Sequence, residues 1–327
     1  MTLSRRHLLA APAAALLPAG AKAQGAYPDR PVTMIVPFAP GGSPDIAARI
    51  VVPKMTELLG QSVVVENRAG AGSIIGTRAV VQARPDGYTA LMGSISFMMA
   101  PLTQDPRPFD PAASLRVASL VATVPYVLVV RADAPAKTLA EFHRWVANAP
   151  ANSLNYGSSG SGTPLHMGGA MYDLFMGTRM THVAYRGSSP ALQDLLGGQV
   201  QAVFADLPAA AGHIRAGTLR LLAVLVPERL AAYPEVPSMR ESDPRLADYD
   251  IYTWAMLCVP KATPDGPVGR LHDAAVGAAR DPATAARLRE LGFDIIATTP
   301  EAGDAILARE QAKWDRLIKR AGIKVDL

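Results

Sequence analysis

Apolar positions along the chain follow two alternating patterns. Short, β-prone runs read as strands: VTMIVPF (32–38), VVVEN (63–67), TALMG (89–93), LVATVPYVLVV (120–130), LNYGS (154–158), QAVFAD (201–206) and LRLLAVLV (219–226). Between and after them, helical spacing predicts helices near 44–59, 74–83, 138–148, 164–176, 189–197, 265–279, 282–291 and 300–321. Capping residues support several starts. Ser43 stands before Pro44, Thr138 three residues before Glu141, and Thr299 before Pro300 and Glu301. Strands alternating with helices imply βαβ units and a largely parallel sheet covered on both faces.

Two runs are too long to be ordinary strands. LVATVPYVLVV is interrupted by Pro125, and DYDIYTWAMLCVP (248–260) lies far downstream. Two long strands bracketing a self-contained α/β block predict a chain that crosses between two lobes and returns. The fold class expected is therefore α/β with two lobes and a cleft between them. The first lobe takes residues 24–124 and 253–327, and the second takes 125–252. A chain of 327 residues is long enough for two cores. With 49% apolar but only 6% aromatic residues, those cores must be built mainly from Ala, Val, Leu and Ile.

The net charge of +4 is deceptive. Arg5, Arg6 and Lys22 supply three of those charges within the first 23 residues, which contain no acid. That stretch has a basic start, an apolar centre from Leu8 to Leu17 and a small-x-small site at Ala21–Ala23, the three parts of an export signal. Its SRRHLL run also fits a twin-arginine signal. The exported remainder is nearly neutral, which argues against nucleic acid or an anionic membrane as partner. Its single cysteine, Cys258, sits in an apolar run and can form no internal disulfide. A soluble, monomeric periplasmic protein is expected.

The chemistry-bearing motifs exclude more than they assign. No two of the six histidines stand three or four residues apart, so no metal site is expected. NYGSSGSGTPLH (155–166) is rich in serine, yet Ser161 stands where a nucleophile elbow around Ser159 would need glycine. Gly70, Gly72 and Gly76 fall one residue off the dinucleotide fingerprint, and the 37–45 loop lacks the lysine of a P-loop. No cofactor is expected. What remains is a set of strand-loop-helix junctions rich in Gly and hydroxyl residues: PFAPGGSPD, GSIS (93–96), GSSGSGTP and AYRGSSPALQDLL (184–196). Ser158, Ser159, Ser161 and Thr163 offer neutral donors beside backbone N–H groups, a set suited to a carboxylate.

YPDRPVTMIVPFAPGGSPDIAARI, LGQSVVVENRAGAGSIIGTRAV, PDGYTALMGS, LNYGSSGSGTPLH, HVAYRGSSPALQDLLGGQVQAVFADLPAA and KWDRLIKRAGIKVD occur in this order. In them the chain resembles the Bug family, the extracytoplasmic solute receptors of tripartite tricarboxylate transporters, from about Tyr27 to Asp326. The resemblance implies a type II periplasmic binding protein, with two crossover strands and hinge closure on a small carboxylate or acidic amino acid. It implies integral membrane transporter subunits as partners and no catalysis. By position it assigns ligand binding to Phe38, Ala39, Gly42, Asp45, Ser94 and Ser96 in the first lobe. The second lobe would contribute Ser158, Gly160, Thr163, His166, Tyr185, Gly187 and Asp206. Asp45 and Asp206 sit awkwardly beside an anion; each either caps a helix, orders water or receives an amine. A sensory subunit facing a sensor kinase and a serine hydrolase are the alternative functions.

Overall fold

A computed structural model describes residues 27–321, so the expected export signal lies outside the described residues. The chain opens with β1 (Val32–Val36), α1 (Ser43–Leu59), β2 (Val63–Asn67), α2 (Ile74–Val81), β3 (Thr89–Gly93), α3 (Ser96–Leu102) and α4 (Pro111–Ser114). It then enters β4 (Leu115–Arg131), a single strand of 17 residues. There follow α5 (Leu139–Asn148), β5 (Asn155–Ser158), α6 (Pro164–Met176), β6 (Thr181–Ala184), α7 (Ser188–Leu196), β7 (Ala202–Asp206), α8 (Leu207–Arg215) and β8 (Leu219–Val224). The return strand β9 (Tyr252–Pro260) leads to α9 (Asp265–Arg280), α10 (Pro282–Glu290), β10 (Asp294–Ile295) and α11 (Pro300–Ala321).

β4 belongs to two sheets. Leu115–Pro125 pairs antiparallel with β9, whose other edge meets β3 and then β1 and β2. Tyr126–Arg131 pairs instead with β7 on one edge and β8 on the other, and β7 leads on to β5 and β6. Partners change between Pro125, opposite Tyr252, and Tyr126, opposite Asp206. Within each lobe the βαβ units give parallel pairs (β1–β2, β1–β3, β5–β6, β5–β7); β9 runs antiparallel to β3 and to β4, and β4 runs antiparallel to β7. Two α/β lobes therefore share the strand β4, while the return strand β9 pairs within the first-lobe sheet alone.

Each sheet is covered on both faces, because alternate residues of a strand point to opposite sides. Tyr126, Leu128 and Val130 enter one core of the second lobe with Phe142, Tyr172 and Phe204. Val127 and Val129 enter the other with Leu192, Val203 and Leu219. Burying each such side chain contributes about 1.5–3 kcal/mol. α6 lies unusually close to β5. A Cβ on Gly169 would stand 2.1 Å from the Tyr156 ring, and the Tyr249 hydroxyl donates to Gly168 O at 2.8 Å. Glycine there is a packing requirement.

Some elements differ from the sequence reading. α3 was not expected, because all seven of its residues are buried and no apolar stripe marks it. β4 begins five residues earlier than the apolar run. Arg116 and Ser119 break that run, but Arg116 pairs with Asp265 at 2.7 Å and the Ser119 hydroxyl donates to Thr298 O at 2.9 Å. α8 and the short β6, whose exposed residues Thr181 and Ala184 fall on opposite faces, also lacked a clear period.

Candidate functional site

The loop from Pro37 to Gly42 delivers the N-terminus of α1 to the cleft. Gly41 has φ +90°, a conformation that disfavours side chains, and Pro44 lies in the first turn. Asp45 locks this loop from beneath. Its buried carboxylate accepts from Gly41 N at 2.9 Å, Arg49 Nε at 3.0 Å and Asn67 Nδ2 at 2.9 Å. Asn67 also donates to Phe38 O at 3.0 Å. On the next strand, Ser94 Oγ accepts from Ser96 N at 3.3 Å, and Ile95 N donates to Thr253 Oγ1 at 3.2 Å.

The second lobe presents its own junctions. After β5 the chain turns through Gly160 at φ +138° into Thr163, the cap of α6. Thr163 Oγ1 donates to Gly160 O at 2.7 Å and accepts from His166 N at 3.4 Å. Ser158 is fully buried and shares a 2.7 Å hydrogen bond with His182 Nε2. His182 stacks on His166 with ring centres 3.9 Å apart. Burial holds His166 at a pKa of about 4. Burial, then the charge that His166 would carry, holds His182 at about 3. Both rings are neutral at ordinary pH and brace the loop.

The lobes touch directly. Ala39 N donates to Arg186 O at 2.9 Å. Ser43 Oγ, at the start of α1, donates to Asp206 Oδ1 at 2.8 Å, and Ser43 N reaches Oδ2 only at 3.5 Å. Ser188 Oγ, at the start of α7, donates to Asp206 Oδ2 at 2.7 Å. Asp206 itself stands at the start of α8. Three helix N-termini from two lobes thus converge on one buried carboxylate. Burial raises its pKa, against the lowering effect of the Ser188 and Ser43 hydrogen bonds. A second seam brings Gly72 of the first lobe against Ser161 and Gly160 of the second.

Between the seams lies a small polar cavity of about 10 Å³, open in part to solvent and close to the size of one water molecule. Phe38, Gly42, Pro44 and Ser94 line it from the first lobe, Ser159, Ser188 and Asp206 from the second, and Tyr126 from the crossing strand. Among the described residues, no lysine, arginine or histidine lines it. Burial and then the Asp206 charge push the Tyr126 hydroxyl well above its ordinary pKa.

Of the residues assigned from sequence, Phe38, Gly42, Ser94 and Asp206 line this cavity. Ala39 and Gly187 form the interlobe seam. Ser158, Gly160, Thr163 and His166 hold the 158–166 loop through bonds to one another and to His182. Ser96 opens α3, buried beside Ser94. Tyr185 packs its ring near Gly157 and donates its hydroxyl to Asp194 Oδ2 at 2.8 Å. Asp45 is wholly engaged within the first lobe. The sequence assignment left out Ser43, Pro44, Tyr126, Ser159 and Ser188. Ser43 and Ser188 had a signal, since each opens a helix after a glycine. Tyr126 had one in following the proline where the strand changes lobes.

Two α/β lobes joined by crossing strands, with helix N-termini from both converging on a polar cavity, define a periplasmic-binding-protein fold. Solved structures share it. BugD superposes with a TM-score of 0.86 at 33% identity, over 91% of this chain and 99% of that one. MatC from Rhodopseudomonas palustris, with bound malate, gives 0.84 at 28% identity over 89% and 100%. R. palustris Rpa4515 with adipate gives 0.84 at 30% identity over 91% and 99%. Among sequence relatives, a UPF0065 protein from the tcbD-tcbE intergenic region of Pseudomonas sp. strain P51 is 35% identical over 97% of this chain and 94% of its own. BugT of Bordetella pertussis is 34% identical over 91% of each chain. Residues 47–323 match the tripartite tricarboxylate transporter family receptor family, and the chain belongs to it. The family consists of substrate-binding receptors of periplasmic transport, and no described helix is long and apolar enough to cross a membrane.

Proposed function

We propose that this chain, exported to the periplasm by its N-terminal signal, captures a small carboxylate as a monomer by lobe closure. The closed form is then delivered to integral membrane subunits of a tripartite tricarboxylate-type transporter. The lobes would divide near Pro125, where β4 exchanges sheet partners, and just before Tyr252, where β9 begins and the preceding Ile251 N still donates to Leu225 O of the second lobe. The observation that carries the reading is the cavity between the lobes, built from helix starts and hydroxyls of both. Such termini stabilise an anion by about 0.3–1 kcal/mol each when exposed and up to about 2 kcal/mol when partly buried. Malate and adipate in the two R. palustris relatives support the ligand class.

Binding without catalysis is supported by the state of the serines. Ser158 and Ser242 each have a histidine at hydrogen-bond distance; Ser158 is fully buried, and the Ser242 hydroxyl already donates to Met239 O at 2.7 Å. Thermal unfolding in the presence of di- and tricarboxylates, aromatic acids and acidic amino acids tests the proposal. A ligand at 100 times its Kd adds about 2.7 kcal/mol, so a clear rise in Tm is expected from at least one of them. A panel with no rise overturns the carboxylate reading.

A further inference from the structure

Among the described residues, Asp206 is the only formally charged side chain lining the cavity. It is 4% exposed and has no ion-pair partner among the described residues. Its carboxylate has about four acceptor positions. Ser43 Oγ and Ser188 Oγ fill two of them with short bonds, while the Ser43 N–H at 3.5 Å and the residue's own backbone N–H approach more weakly and leave room for a stronger donor. The other lining groups are the neutral side chains of Phe38, Pro44, Ser94, Ser159 and Tyr126. A negative group with acceptor capacity left over therefore faces the space where an anionic ligand would lie, with no cation between them.

Two carboxylates in so enclosed a space repel unless a donor stands between them. The donor that fits is one carried by the ligand. We propose that Asp206 determines the specificity of the cleft, selecting carboxylates that bear a hydroxyl or ammonium group next to the bound carboxyl over unsubstituted ones. An ammonium group is preferred, since it adds opposite charge to the hydrogen bond. This inference rests on the carboxylate reading above. It has a structural corollary: Asp206 makes no side-chain cap bond within α8, so a neutral replacement leaves that helix without a lost cap.

Succinate, malate and aspartate differ only in the substituent on one carbon, so calorimetric titration of the three isolates the effect. Wild-type protein is expected to bind aspartate most tightly, malate next and succinate least, with about a tenfold span or more. In Asp206→Asn the carboxamide keeps an acceptor for Ser43 but carries no charge. The span is expected to shrink to about threefold or less, chiefly because succinate binds more tightly. Ser188→Ala keeps the charge and removes a donor, so the span is expected to widen. An unchanged order and span in folded Asp206→Asn, or a narrowed span in Ser188→Ala, overturns this inference alone. Binding of none of the three to wild type overturns the carboxylate reading and this inference with it.

Discussion

Gly72 tests whether the contact between the lobes is the binding-competent arrangement. It holds φ +61°, and a Cβ added there would stand 2.3 Å from Ser161 O in the opposite lobe and 3.3 Å from Ala100. Ser161 O is backbone and cannot swing aside, so an ordinary contact of about 3.4 Å requires the lobes to part by about 1.1 Å at this seam. The same parting at the other seam would stretch the 2.8 Å Ser43–Asp206 bond and the 2.9 Å Ala39–Arg186 bond beyond hydrogen-bonding reach. One bond is to a charged group and one is neutral, together worth about 2–4 kcal/mol. Gly72→Ala is thus expected to weaken ligand binding roughly 30- to 1,000-fold.

The left-handed backbone adds a separate cost of about 1–2 kcal/mol to folding, whatever the lobes do. Gly177 supplies the control: it has φ +68° at the end of α6, and a Cβ there meets nothing within 4 Å. Gly177→Ala is expected to lower Tm about as much while leaving affinity unchanged. Titration calorimetry with the ligand of largest thermal shift, beside unfolding curves, separates the two effects. Wild-type affinity in folded Gly72→Ala would refute the claim that binding requires this seam.

Asp45→Asn replaces a group accepting from Gly41 N, Arg49 and Asn67 with one that can accept at a single oxygen. A loss of about 1–3 kcal/mol in denaturant unfolding is expected, with weaker ligand binding as the Phe38–Gly42 loop loosens; unchanged unfolding would show that the clasp carries no stability. The stacked histidines set a pH dependence. Their folded pKa values of about 4 and about 3 lie below the unfolded value of 6.5, so their contribution is complete above pH 6.5 and is lost as pH falls from there toward the folded values. After allowance for partial exposure, stability is expected to fall by about 1–2 kcal/mol between pH 7.5 and pH 5. His182→Gln should flatten that slope, and an equally steep slope in this variant would remove the pair as its cause.

The fold was legible in the sequence where a period survived and illegible where burial was complete on every side. The 3.6-residue stripe of α1 and the short runs of β1, β2 and β3 mark themselves. SFMMAPL in α3 does not, because a helix enclosed all round has no polar face to alternate with. Within the site, a glycine and a hydroxyl before a helix located the junctions correctly. Which atom each residue turns toward the cleft was beyond a pattern of residue types. Tyr185 illustrates the limit: only the fold places Asp194, nine positions on, within 2.8 Å of its hydroxyl. Gly72, which in sequence only belongs to a near-miss of the dinucleotide fingerprint, gains its meaning from Ser161, a contact 89 positions away that no local motif encodes.

Asp45 and Asp206 show how surroundings divide one residue type between two tasks. Both are buried at the N-terminal end of α1, where a negative charge is favoured. Asp45 has Arg49 one turn along its own helix, and its charge is answered inside the first lobe whether or not the lobes meet. The energy of its bonds therefore belongs to folding. Asp206 reaches α1 from the opposite lobe and finds hydroxyls in place of a cation. Its bond to Ser43 exists only when the lobes are together, so that energy belongs to closure. Unanswered charge is what lets Asp206 distinguish ligands: a carboxylate already paired with arginine is indifferent to an ammonium group nearby, and one held by hydroxyls is not. The position of a single arginine, four residues after Asp45 and absent from the lining around Asp206, separates the structural acid from the selective one.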